Sequence, residues 1–268
     1  MLKDITLGQF FPGESFVHRL DPRTKLILLL LYIICLFTAS SWISYGVVFF
    51  FLIVTIFVSK IPLKSILHGM KPLILILVFT GILNLFFTGG ETVLASFWVI
   101  TITLEGVARA LFMVMRILML ISGTFLLTYT TSPIALTDGL ELLLGPLKII
   151  RFPVHELSMM MCIALRFIPT LIEEADKIMS AQKARGADFE SGNIFTRVKA
   201  LVPILVPLFI GAFRRADELA TAMECRCYKG GEGRTKMKLL RYKYNDLEAF
   251  AAGVVLLAGV IALSTFGL

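Results

Sequence analysis

Two arginines, Arg185 and Arg226, stand 41 positions apart near the ends of long helical runs, and the residues before them repeat at the same offset. Ala175, Asp176, Ile178 and Ala181 before the first correspond to Ala216, Asp217, Leu219 and Ala222 before the second. In a helix, residues four and seven positions earlier share a face, so Ile178 and Ala181 line up beneath Arg185, and Leu219 and Ala222 beneath Arg226. Each run carries a small apolar stripe that ends in a permanent positive charge. The chemistry on offer is recognition rather than bond making. A guanidinium beside small side chains can approach a partner closely and present a bidentate fork to a carboxylate or carbonyl. A positive charge at a helix C-terminus also gains about 0.3–1 kcal/mol from the helix dipole. That gain explains an arginine there, but not the repeated stripe.

Catalytic groupings are poor by comparison. An enzyme working at the membrane face would draw on His155, Glu156, Cys162, Glu173, Glu174 and Asp176. His155-Glu156 lacks the second histidine of a zinc motif, and the adjacent Glu173 and Glu174 point about a quarter-turn apart. Cys225 and Cys227 form a C-x-C pair with no second pair nearby, so no metal site is expected. No G-x-x-x-x-G-K-[ST] phosphate loop occurs, and Gly230-Gly231-Glu232-Gly233 lacks the strand, lysine and helix such a loop needs. The chain is expected to bind no cofactor, and energy for any work must come from another subunit.

The elements that position the arginines belong to a membrane protein. Over 268 residues, 57% are hydrophobic and 17% charged, and the mean hydropathy is +0.85; a soluble domain carries more charge. The net charge of +7 comes with no nucleic-acid module, and membrane topology accounts for it better. Four scattered cysteines fit small helical side chains in a reducing compartment. The short apolar run from Leu26 to Phe37 is read as an uncleaved first span, since the preceding charged segment is long and acidic residues occur in it.

Residues 1–25 form a polar N-terminal segment closing in Asp21-Pro22, a capping residue followed by proline at the first helical position. Residues 26–130 form a bundle of about four spans: Leu26 to Ser41, Trp42 to Val58, Pro72 to Phe87 and Leu104 to Thr130. Val93 to Thr103 is too short to span and is expected to be a re-entrant or interfacial piece. Arg109 and Arg116 lie seven apart on one face of the fourth span, where an arginine near the bilayer centre costs about 3 kcal/mol; they should face the interior, snorkel, or mark an interface.

Residues 131–245 hold an amphipathic helix, Ile134 to Leu144, and two long runs, His155 to Ala184 and Ile194 to Tyr228. Pro169 is expected to kink or divide the first, Pro203 and Pro207 to break the second, and Gly186 to stop the first as a left-handed residue. Met159-Met160-Met161 could give a pliable contact surface, although core packing is the commoner use of such residues. The apolar stretch Leu201 to Phe213 needs an apolar cover. Residues 246–268 form a final span. The fold expected is all-α, with about five transmembrane helices and long cytoplasmic or interfacial coupling helices.

Of 26 lysines and arginines, 17 fall between Lys148 and Lys243, four in residues 1–25 and three between Lys60 and Lys71. The loops at Ala39 to Ile43 and Thr88 to Thr103 have none. The positive-inside rule therefore makes the N-terminus and the Lys148 to Lys243 region cytoplasmic. It also argues against a complete solute carrier, whose conspicuous residues would lie at the midplane among broken-helix repeats.

Ala164-Leu165-Arg166-Phe167-Ile168-Pro169, Ala181-Gln182-Lys183-Ala184-Arg185-Gly186 and Phe213-Arg214-Arg215-Ala216-Asp217-Glu218-Leu219 through Arg226 resemble the transmembrane T component, EcfT, of energy-coupling factor transporters, a type of ABC transporter. Leu20-Asp21-Pro22-Arg23-Thr24-Lys25-Leu26 and Thr131-Ser132-Pro133 are similar to that family too, so the likeness covers nearly the whole chain. The resemblance implies a non-catalytic subunit of the bacterial cell membrane. Its coupling helices would dock by Ala-Arg-Gly motifs into two ATP-binding-cassette subunits, which hold the ATP and Mg. The same helices would hold a substrate-binding S component that carries a vitamin or metal ion. Ala184-Arg185-Gly186 matches the motif fully. Cys225-Arg226-Cys227 keeps only the arginine, a mismatch that fits two non-identical ATPases.

Overall fold

The computed structural model describes residues 10–87, 92–97, 100–187, 189, 193–231, 233 and 239–265. Its contacts divide into two compact units, one formed within residues 10–139 with 240–265, the other within residues 140–239.

The first unit is the membrane bundle. It is built from α1 (Phe16–Arg19), α2 (Pro22–Thr38), α3 (Trp42–Ser59), α4 (Leu63–Met70), α5 (Ile74–Phe87), α6 (Leu104–Thr130), most of α7 (Pro133–Leu143) and α10 (Tyr244–Thr265). The helix starts are written in the sequence. Pro22 takes the first turn of α2 while the Asp21 carboxylate accepts the Arg23 N–H at 2.9 Å. Ser41 caps α3, Thr103 caps α6, and the Ser132 hydroxyl accepts the Ala135 N–H at the start of α7. α2, α3, α6 and α10 share one core that includes Tyr32, Leu36, Val48, Met119, Tyr129 and Val260. Gly123 admits the Tyr32 ring, which a Cβ would meet at 2.6 Å, and the Tyr32 hydroxyl donates to the Met119 carbonyl at 3.0 Å. Gly253 admits Leu28 in the same way, bringing α10 against α2.

The second unit contains α8 (Val154–Ala184) and α9 (Ile194–Cys225), packed along each other. The prolines do not break them as expected: Pro169 lies inside α8, and Pro203 and Pro207 inside α9. Each proline forfeits one backbone donor, a local loss that the many intact turns on either side outweigh in helices of 31 and 32 residues.

Among the described residues, five helical segments are long and apolar enough to cross a membrane: Trp42–Ser59, Leu63–Phe87, Leu104–Thr130, Val154–Ala184 and Tyr244–Thr265. The protein is a helical, multi-pass membrane protein. Several details differ from the sequence reading. α4 and α5, joined by a 3-10 turn at Lys71–Leu73, extend the expected third span toward the N-terminus. α8 also qualifies by length and apolarity, with hydropathy 1.3 against 2.0 to 2.2 for the other four. The expected first span is α2, whose 17 residues rise about 26 Å, the short end of what a bilayer needs. The segment after α5, expected as a re-entrant or interfacial piece, is a hairpin. β1 (Val93–Phe97) pairs antiparallel with β2 (Ile100–Thr103), in keeping with its β-branched residues.

Candidate functional site

The two arginines singled out by the repeat occupy the same place in the same backbone motif. Arg185 is the C-cap of α8 and Arg226 the C-cap of α9. After Arg185, the Gly186 N–H donates to the Lys183 carbonyl at 3.0 Å and the Ala187 N–H to the Gln182 carbonyl at 3.0 Å. After Arg226, the Cys227 N–H donates to the Glu224 carbonyl at 2.8 Å and the Tyr228 N–H to the Met223 carbonyl at 3.0 Å. Both are complete Schellman caps, which satisfy two of the last four carbonyls of each helix and turn the chain away from the helix axis. Such a cap needs a left-handed residue, and Gly186 (φ 86°) and Cys227 (φ 56°) supply it. The geometry of the first arm is thus kept at the second even though the glycine is not.

Ala184, Arg185 and Gly186 are exposed, as are Cys225, Arg226 and Cys227. Of the supporting stripe, Ala181 and Ala222 are exposed while Ile178 and Leu219 are half-buried. Leu219 lines a groove between α8 and α9, together with Ile163, Phe167, Leu171, Ala212 and Met223. So the stripe divides: its outer alanines stay with the arginines at the surface, and Leu219 turns toward the partner helix.

Of the residues weighed as catalysts, Glu174 and His155 have ion-pair partners. The Glu174 carboxylate pairs with the Arg215 guanidinium at 2.5 Å, and a Cβ on Gly211 would stand 2.9 Å from Glu174 Oε1. His155 Nδ1 lies 3.1 Å from Glu141 Oε1. Among the described residues, no three His, Cys, Asp or Glu side chains gather as metal ligands would.

Of the three methionines, Met159 is half-buried and the other two are not core residues. Met160 and Met161 are 57% and 38% exposed, and Leu201, Val202, Leu205, Val206, Phe209, Ile210 and Phe213 of α9 are all exposed. A run this apolar is left uncovered only where another apolar surface will meet it.

A second constellation escaped the sequence reading. The buried Asp246 carboxylate accepts the Asp21 N–H at 2.7 Å and the Lys243 N–H at 2.8 Å. Arg23 forks onto both Asp21 oxygens at 3.1 Å, donates to the Leu240 carbonyl at 3.1 Å, and lies 4.2 Å from the Tyr242 ring centre. The buried Lys25 Nζ meets the His18 and Thr130 carbonyls and Thr131 Oγ1 at 3.3, 2.9 and 3.2 Å. This clasp ties the starts of α2 and α10 to the end of α6. The available signal was an acidic residue, Asp246, in the first turn of an apolar helix.

Fold and site together define a multi-pass membrane component whose distinguishing parts are two long helices ending in matched, arginine-bearing caps. Residues 13–237 match the cobalt transport protein family CbiQ. The energy-coupling factor transporter transmembrane protein EcfT of Ruminiclostridium cellulolyticum is 52% identical over 98% of both chains. Its namesake in Thermosediminibacter oceani is 54% identical over 97% of this chain and 98% of its own. That of Lactococcus lactis is 43% identical over 91% and 92%. The chain belongs to the EcfT family of energy-coupling factor transporter transmembrane proteins.

Proposed function

We propose that this chain couples ATP hydrolysis by two ABC ATPase subunits to uptake of a vitamin or other micronutrient held by a separate S component. Arg185 and Arg226 are the docking charges. Ala184, Gly186, Cys225 and Cys227 shape the two tips so that each arginine enters a groove of one ATPase. ATP and Mg stay with those partners, and the chain itself performs no catalysis. At each tip the exposed guanidinium is a permanent charge, and a fork that meets a carboxylate or carbonyl transmits force as well as affinity. The single observation behind this reading is the pair of identical Schellman caps, each with an exposed arginine at the same position. A glycine tip and a cysteine tip suit two non-identical ATPases. The exposed face of α9, with Met160 and Met161 of α8, is the surface assigned to the S component. The concentration of positive charge between Lys148 and Lys243 supports a cytoplasmic position for this region and for the N-terminus.

The test is uptake by cells carrying the assembled transporter. Arg185→Ala and Arg226→Ala should each lower uptake and ATPase co-purification at least severalfold, with the double change worse. Arg→Lys should rescue poorly, because a point charge cannot replace a fork. Full uptake by the double alanine variant would falsify the assignment.

A further inference from the structure

Arg116 lies inside the spanning helix α6, and neither the clasp nor the arm tips use it. Its position can be read from helix register. At one end of the bundle Lys25 of α2 meets Thr130 of α6; at the other, the carbonyl of Ala39, just past α2, accepts an Arg116 N–H at 3.4 Å. Fourteen residues separate the two contacts along each helix of the pair, a rise of about 21 Å on both. The two helices therefore run side by side with little divergence. At the level of Arg116 the short side of the bundle ends: Ser40 lies beside Ser264 near the end of α10, and the Trp42 ring, opening α3, packs 4.2 Å from Phe112. α6 continues for 12 more residues, to Leu104, or about 18 Å. Arg116 thus stands on a step, where α2, α3 and α10 stop and α6 goes on.

The step carries the chemistry of a bilayer interface. Arg116 Nε donates to the Tyr45 hydroxyl at 2.7 Å, and its guanidinium lies 5.5 and 5.8 Å from the Phe37 and Tyr45 ring centres. Trp42 and Phe37 are 55% and 61% exposed. Tryptophan and tyrosine gather at headgroup level, and α3 has its apolar run between Ser41 and Lys60, a length that matches one hydrocarbon core. Among the described residues no carboxylate pairs with Arg116. Two of the five guanidinium N–H groups have the partners named, and the group is half-exposed. A guanidinium with N–H groups to spare at headgroup depth is placed to take an anionic partner.

We propose that the Arg116 step binds the phosphodiester of a phospholipid headgroup in the leaflet distal to the Asp21–Asp246 clasp, with Tyr45 holding the guanidinium and Trp42 flanking the glycerol region. The partner is a lipid rather than a free anion because the exposed neighbours of the guanidinium are aromatic and apolar, suited to acyl chains and not to water.

The full chain, purified within its transporter complex, tests this by native mass spectrometry with phosphatidylglycerol and, separately, inorganic phosphate. The wild type should retain one more phospholipid than Arg116→Gln, whose lipid binding should be roughly tenfold weaker. Equal retention by the two overturns the proposal, and so does displacement of the lipid by millimolar phosphate. Should Arg116→Gln not assemble, Trp42 fluorescence in the Trp98→Phe chain reads the depth directly, using lipids brominated near the headgroup or near the chain end. Strongest quenching by the shallow bromines is expected; strongest quenching by the deep ones overturns the step as an interface.

Discussion

A cysteine in the left-handed region is a strained choice, and Cys227 makes it at φ 56°. The conformation costs a residue with a Cβ about 1 kcal/mol or more relative to glycine. Cys227→Gly should therefore stabilise the arm without altering its cap, by roughly 0.5–1 kcal/mol once the greater freedom of an unfolded glycine is set against the strain. Thermal unfolding of the purified chain checks this; destabilisation would mean that the thiol makes a compensating contact. Both arginines were legible in the sequence because a residue-by-residue repeat needs no structure to be seen. The equivalence of their caps was not, since the glycine that signals the turn is present at Gly186 and missing at Cys227.

Between elements, contact distance is set by glycines that the hydropathy pattern hides. Gly123 lets the Tyr32 ring lie against α6, and that ring is held rigidly by its bond to the Met119 carbonyl. Gly123→Ala should lower stability by about 1–3 kcal/mol, measured as reduced thermal resistance of the detergent-purified chain, while Gly46→Ala, which meets nothing within 4 Å, should not. Span positions could be read ahead because about 20 apolar residues have few other uses. The hairpin at Val93–Phe97 and Ile100–Thr103 and the unbroken α8 and α9 could not. Short apolar runs are ambiguous between helix and strand, and a proline's local penalty does not say whether a long helix will absorb it.

For the whole molecule, the clasp is the contact of greatest sequence separation among those described at the bundle's end, joining Asp21 to Asp246 across 225 positions. Asp246→Ala would leave the Asp21 and Lys243 N–H groups without their acceptor, and should destabilise the chain by about 1–3 kcal/mol, seen as a lower unfolding midpoint. Composition and charge announced a membrane protein, but not that its first and last long helices are neighbours, because pairing of distant segments leaves no local mark. That pairing has a consequence for biosynthesis. With ribosomes adding about 5–20 residues per second, the nascent chain holds α2 in the membrane for roughly 10–45 s before α10 arrives. Throughout that interval the Asp21 N–H lacks its acceptor and Leu28 lacks the notch at Gly253. The bundle closes only after residues 140–239 have been made, so a ribosome that stalls within the arms leaves an open bundle for quality control to recognise.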